Sequence, residues 1–326
     1  MRSLTHLNAR SVGEACALLD EYGRRARLNA GGTDLLSVLK RGFLPDRPEA
    51  IVNLKTIPGL AYVAADEDSL RIGALTTLVT LAKSEVVNEE FKVLAEAARS
   101  VGTPQIRNAA TIGGNLCQDV RCWYYRYPHK LGGAMDCLRK GHGGCLAIKG
   151  DNRYHCIMNG KGCFAVCPSD TAVALAALDA RIKLAAPDGE RSIRVADFFG
   201  PLRNALDANE MVTEIEIPRT ARPSTQTFLK YTTRKPVDFA IASVASVVWK
   251  EGERCIDARI ALGAVSPGPV RATTAEALLL GRRVDEESAV EAAEEALAGA
   301  RPLSMNEYKV HVARVLVKRA LLEEAD

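Results

Sequence analysis

Apolar residues recur at helical spacing over Val12–Tyr22 and again over Leu35–Arg41, with a short extended run, Arg27–Ala30, between them. Ala50–Leu54 is apolar and extended. Leu60–Ala64 and Ser69–Ala74 alternate around the acidic turn Asp66-Glu67-Asp68, as the arms of a hairpin do. In Phe91–Val101, the residues Phe91, Leu94, Ala98 and Val101 share one helical face. The stretch 117–168 then loses all periodicity. Beyond it the pattern predicts a helix over Thr171–Ala180 with Ser169 or Asp170 as N-cap, and a strand–turn–strand over Arg181–Val195 about Pro187-Asp188-Gly189. A strand, Met211–Ile217, is closed by Pro218. Strands follow at Thr227–Thr232, Ala240–Lys250 and Cys255–Gly263, then helices at Thr274–Leu280, Glu286–Ala298 and Asn306–Glu324. The last helix opens on Ser304-Met305-Asn306-Glu307, a capping-box pattern.

This order predicts an α+β protein in two parts. The first, 1–218, carries the aperiodic insertion 117–168; 219–225, with Pro223 and no period, is a linker. The second, 226–326, is a small α+β domain with a three-stranded antiparallel sheet and three helices. An apolar fraction of 47 % and a charged fraction of 25 % are those of an ordinary globular chain. The net charge of +3 is too small to argue for nucleic acid or a membrane surface. No apolar run approaches the ~18 residues that span a bilayer, and Met1–Arg10 lacks the apolar core of a signal peptide. The polypeptide by itself therefore reads as cytoplasmic, although a subunit can travel folded on a partner's signal.

Two segments carry paired glycines: Asn29-Ala30-Gly31-Gly32-Thr33-Asp34-Leu35, between a strand and a helix, and Thr111-Ile112-Gly113-Gly114-Asn115. Paired glycines permit positive φ and close backbone approach, so successive N–H groups can converge on an anion. Thr33, Thr111 and Asn115 add side-chain hydrogen bonds to phosphate or ribose. Asp34 would repel a phosphate and suits the N-cap of the following helix. Either pair alone is equally a tight turn; a dinucleotide site needs both. Gly160–Ala165 matches the nicotinamide-dinucleotide fingerprint in letters, but the helix it should open begins only near Thr171.

Of nine cysteines, seven lie from Cys117 to Cys167: Cys117, Cys122, Cys137, Cys145, Cys156, Cys163 and Cys167. Cys16 and Cys255 read as small buried hydrophobes. A disulfide framework suits small secreted domains, whereas clustering in a reducing cytosol points to metal or redox chemistry. The same stretch holds eight basic residues (Arg121, Arg126, Lys130, Arg139, Lys140, Lys149, Arg153, Lys161) against three Asp, a balance that suits an anionic cofactor. It equally describes a solvated loop or a docking face for an acidic partner. With Trp123, Tyr124, Tyr125 and Tyr127 interleaved, it also mimics an RNA patch. A zinc- or RNA-binding protein and a stand-alone flavoenzyme are the rival readings. Visible absorption separates the first, and native mass the second.

The segments AGGTDLL at 30–36 and ATIGGNL at 110–116 resemble the FAD diphosphate loops of the molybdenum hydroxylase (xanthine oxidase) flavoprotein subunits. The resemblance continues through Pro168-Ser169-Asp170, Glu214-Ile215-Glu216-Ile217-Pro218 and Phe228-Leu229-Lys230, and covers essentially the whole chain. It implies a two-part FAD-binding domain of the PCMH type followed by the family's C-terminal domain. Asn29, Ala30, Gly31, Gly32, Thr33, Asp34 and Leu35 would hold the diphosphate together with Thr111, Gly113, Gly114 and Asn115. Asp170 and Lys230 would lie near the adenosine and the flavin ring. The insertion is similar to those of 4-hydroxybenzoyl-CoA reductase and bacterial aldehyde oxidoreductases, which carry an extra [4Fe–4S] cluster. On that pattern the ligands are Cys122, Cys137, Cys145 and Cys163, with Cys156 an open alternative for the fourth. The resemblance further implies a large molybdopterin subunit, a small [2Fe–2S] subunit, assembly as a dimer of heterotrimers, and an external carrier (NAD, ferredoxin or quinone). Substrate chemistry would belong to the large subunit, with no catalytic residue in this chain.

Overall fold

The structure, a computed structural model, describes residues 4–127, 135–234 and 237–323; Lys130 and Glu324 lie outside them. The chain opens with a three-stranded parallel sheet of β1 (Thr5–Asn8), β2 (Ala26–Asn29) and β3 (Ala50–Asn53) in the order β1-β3-β2. Parallel neighbours need helical crossovers, and α1 (Val12–Tyr22) and α2 (Leu35–Arg41) supply them. Helix α1 begins where expected because Ser11 accepts a hydrogen bond from the Glu14 amide, and it buries Ala15, Cys16 and Leu19. Cys16 is fully buried, as a small hydrophobe should be.

The hairpin β4 (Val63–Ala65) and β5 (Ser69–Gly73) leads into five short helices: α3 (Leu78–Lys83), α4 (Glu85–Glu90), α5 (Lys92–Arg99), α6 (Pro104–Ala109) and α7 (Ile112–Leu116). Among the described residues, 117–168 contains only two 3-10 turns, Leu138–Lys140 and Leu146–Ile148. Then come α8 (Asp170–Ala177), β6 (Arg181–Ala186), β7 (Gly189–Arg194), α9 (Val195–Phe198) and β8 (Met211–Pro218). The sheet β4-β5-β8-β6-β7 is antiparallel throughout.

The C-terminal part contains β9 (Thr225–Tyr231), β10 (Ala242–Glu251), β11 (Arg254–Gly263) and β12 (Val270–Arg271), then α10 (Thr273–Leu279), α11 (Glu286–Ala296) and α12 (Tyr308–Leu321). Its sheet has four antiparallel strands, β12-β11-β10-β9, not three. Strand β12 is two residues long and has no pattern of its own; pairing with Ala261 and Leu262 makes it a strand. The expected capping box at Ser304–Glu307 does not form. Glu307 precedes α12 without a side-chain cap, and Asn306 points its amide at the carbonyls of His155 and Cys156 instead. Tertiary partners outcompete the local ones. A capping box does form at Asp285 and Ser288, opening α11.

All eight residues of α8 are buried. Six of the eight are Ala, Val or Leu, so the helix is enclosed on every side. It lies in one continuous core with Leu70 and Ile72 of β5 and Val247 of β10, so the two halves share it. Burying a side chain such as Leu175 stabilises the fold by ~2 kcal/mol. The N-terminus of α8, capped by Ser169 through the Ala172 amide, is therefore held rigidly.

Candidate functional site

The two glycine pairs meet. A methyl group on Gly31 would overlap the Ala109 carbonyl, and one on Gly114 would sit 3.9 Å from the Ala30 methyl. Gly113 packs on Ala74, where an added carbon would lie 2.9 Å from its carbonyl oxygen. Gly32 has φ of 71°, the left-handed region. The segments differ in what their amides do. From Gly31 to Asp34 no backbone N–H donates to a protein acceptor among the described residues. In the second segment the amides from Ile112 to Asn115 are already engaged. Ile112 donates to Thr76, Gly113 to Ala74, Gly114 to the Thr111 hydroxyl, and Asn115 to the Thr111 carbonyl. It is the first turn of α7, not a loop, and only the first pair presents free donors to an anion.

Asp34 does not cap α2 with its side chain. Its carboxylate pairs with Arg121 and with Arg126, the latter at 2.9 Å, and accepts the Asp119 amide at 2.8 Å. Two guanidiniums are stronger partners than a helix amide. Burial opposes the charge, yet Arg121 and Arg126 hold the Asp34 carboxyl below the usual carboxylate range. The aspartate thus ties the first glycine segment to the start of the insertion.

Asp170 and Lys230, distant in sequence, form a buried ion pair of 2.6 Å, and Lys230 also donates to the Ser100 carbonyl at 2.9 Å. Burial pushes the Asp170 carboxyl upward, and the Lys230 ammonium opposes it. Asn115 Oδ1 accepts from the hydroxyls of Ser169 and Thr171. Asn115, Asp170 and Lys230 line a cleft of 760 Å³, within the range of cofactor sites. Of the dinucleotide residues named from sequence, all except Asn29 line it. Asn29 Oδ1 is buried just behind Gly32 and has no partner among the described residues.

The cleft also takes in residues the sequence did not single out for it: Gly102 and Thr103 before α6, Arg139 and Tyr125 of the insertion, and Phe239, half-exposed beneath the Arg121 guanidinium at 4.6 Å. Only the exposed aromatic could have signalled itself. The others arrive through tertiary packing.

Beside the cleft, Cys122, Cys137, Cys145 and Cys163 line a second, smaller cavity. Cys156 is fully buried next to Gly160, outside that lining, with its amide on the Phe164 carbonyl. Cys117 and Cys167 line the large cleft instead. The thiols surround a space and do not focus on a point: among the described residues, no three Cys, His, Asp or Glu side chains are grouped closely enough for a single ion. Burial pushes the Cys122 thiol up to about 11, while the amides of Tyr125 and Tyr124 favour its thiolate. His155 Nε2 lies 3.3 Å from Cys122 Sγ. Burial, with Lys309 behind it, lowers the His155 imidazole to about 4, so it is neutral. The letters G-x-G-x-x-A at Gly160–Ala165 open no helix: Lys161 and Cys163 form an isolated bridge there.

Residues 2–220 match the family described as the FAD binding domain in molybdopterin dehydrogenase, and residues 227–324 match the CO dehydrogenase flavoprotein C-terminal domain. The chain belongs to this flavoprotein family. It is 30 % identical to the FAD-binding subunit of an aldehyde oxidoreductase of Escherichia coli (strain K12), over 99 % of this chain and 98 % of that one. It is 31 % identical to the carbon monoxide dehydrogenase medium chain of Hydrogenophaga pseudoflava, over 96 % and 93 %. The solved carbon monoxide dehydrogenase of that organism, in a form lacking the Mo-pyranopterin moiety, superposes with a TM-score of 0.78 at 30 % identity, covering 98 % and 96 %. The protein is thus a flavoprotein component of the molybdopterin-dehydrogenase type, an oxidoreductase. FAD fits the residues present. Four free amides in succession suit a diphosphate, and the orphaned Asn29 oxygen suits a hydroxyl or N–H donor.

Proposed function

We propose that this chain is the FAD- and [4Fe–4S]-carrying electron-transfer subunit of a heteromeric molybdenum hydroxylase-type complex. It would work with a large molybdopterin subunit, where substrate is transformed, and a small [2Fe–2S] subunit, as a dimer of heterotrimers. An external carrier (NAD, ferredoxin or quinone) would complete the relay. One observation carries the reading: a cleft with unpaired diphosphate-type amides lies against a cavity walled by four cysteines.

When bound, FAD supplies one- and two-electron chemistry that links clusters to a carrier. The chain's own residues prepare the place. Gly31 to Asp34 would hold the diphosphate, with Ala30 and Leu35 flanking it and the surface of Thr111, Gly113, Gly114 and Asn115 closing the other side. The Lys230–Asp170 pair sets a fixed, buried dipole at the cleft wall. Cys122, Cys137, Cys145 and Cys163 would hold the four-iron cluster. Support comes from the four thiols lining one cavity, the number a four-iron cluster requires. Cys163 is favoured over Cys156 because only the former reaches that cavity. No helix among the described residues is long and apolar enough to cross a membrane. Thiol-ligated iron calls for reducing conditions, so assembly is assigned to the cytoplasm.

The test is Cys137→Ser in the complex purified without oxygen. The four-iron EPR signal should disappear while the flavin absorbance remains. An unchanged signal removes Cys137 from the ligand set, and a wild-type complex with no iron beyond the small subunit's removes the cluster.

A further inference from the structure

Two residues belong to both cavities. Tyr125 and Arg139 line the cysteine-walled space and the large cleft alike, so together they form part of the partition between them. The partition is built, not incidental. Tyr125 is buried, donates its hydroxyl to Asp119 Oδ2 at 2.8 Å, and meets the Phe43 ring edge-on at 5.1 Å. The Arg139 guanidinium lies 5.6 Å from the Tyr125 ring centroid. It donates from Nη2 to the Pro201 carbonyl at 3.0 Å, while Nη1 stands 3.7 Å from Asp119 Oδ1. Its Nε is buried with no partner among the described residues. A fixed charge with an unused donor and, among the described residues, one carboxylate at a loose distance is under-compensated here, and such a donor is costly to leave unmet.

The geometry points to Arg139 as a shared positioning residue that raises the reduction potential of both redox groups from the wall between them. The inference rests on the FAD and cluster reading above. Each group gains negative charge on reduction, and a cation screened weakly by a dry wall favours that form on either side. Asp119, anchored by Tyr125 and by its own bond to the Val120 amide, is kept from neutralising Arg139 closely.

The experiment compares wild type, Arg139→Met and Arg139→Lys in the whole complex, with iron and flavin counted first. Flavin potential is read by absorbance and the four-iron potential by EPR. Arg139→Met should lower both reduction equilibria about tenfold, equivalent to about 59 mV for the one-electron cluster and about 29.6 mV for the two-electron flavin. Arg139→Lys should return both toward wild type, which loss of packing alone would not do. If Arg139→Met fails to fold, Arg139→Gln carries the same loss of charge. Iron retained with either potential unmoved overturns the inference alone. Absence of the extra iron from wild type overturns the cluster reading and takes the inference with it.

Discussion

The glycine cradle and the cysteine insertion sit side by side yet are made in opposite ways. The cradle is backbone work. It is placed by β2, α2 and α7, and its closeness depends on side chains being absent at Gly31 and Gly113. The insertion has almost no regular structure among the described residues and is held by side chains reaching for main-chain carbonyls. Asn152 donates to Ala147, Gly150 and the Ser304 hydroxyl, Asn306 to His155 and Cys156, and Lys309 to His155 and Ala264. Three of these anchors, Ser304, Asn306 and Lys309, belong to the C-terminal part. The cradle is therefore sensitive to added bulk, and the insertion to lost polar groups about 150 residues away.

Breaking the cradle should give the largest effect. Gly31→Ala forces a carbon into the Ala109 carbonyl, an overpacking cost of about 1–3 kcal/mol that weakens FAD binding roughly 10–100-fold. Flavin-to-protein ratio after gel filtration checks this, and iron content should be kept. Full flavin occupancy would mean the two segments can part cheaply.

The complementary break is Asn306→Ala, which removes the side-chain partner of the Cys156 carbonyl and of the Leu303 amide and leaves the His155 carbonyl to Lys309 alone, at ~1–3 kcal/mol. Here the expectation is reversed: iron is lost and protease cuts within 117–168, while FAD stays. Equal loss of both cofactors would show that the two regions are not separable.

The smallest effect concerns the strap between them. The folded pKa of Asp34 is depressed, so between that value and the ordinary aspartate value the unfolded chain binds more protons and stability rises with pH. The contribution is complete above the unfolded pKa near ~3.9 and is lost as pH falls through the folded one. The stability gap between wild type and Asp34→Asn, followed by unfolding from pH 7 down to about pH 3, should therefore shrink with acid. A constant gap would assign the effect to shape and not to charge.

How far the sequence could be read follows the same division. Helices α1 and α2 were legible to the residue, because apolar spacing and local stop signals agree there. Strand β1, with the sequence Thr-His-Leu-Asn, shows no alternation and exists through its pairing with β3. Helices α3, α4 and α6 have six residues each, too few to display a period. The paired glycines marked the cleft, but nothing local told that one pair has no protein acceptor for its amides among the described residues and the other spends them on Ala74 and Thr111. Asp34 and Ser304–Glu307 misled for one reason: residues with cap chemistry were claimed by distant partners. Tyr125 and Arg139 sit in an aperiodic stretch, and only packing brings them to the same wall.

Ile157 carries a last consequence. It is nearly fully enclosed in the apolar core of the C-terminal part, and its amide and that of Met158 both donate to the Val265 carbonyl. The insertion is thus not a cassette. Excising it would punch a hole in a domain it does not belong to by sequence. Grafting it onto another flavin subunit would require transplanting Asn306, Lys309 and a socket for Ile157 along with the cysteines.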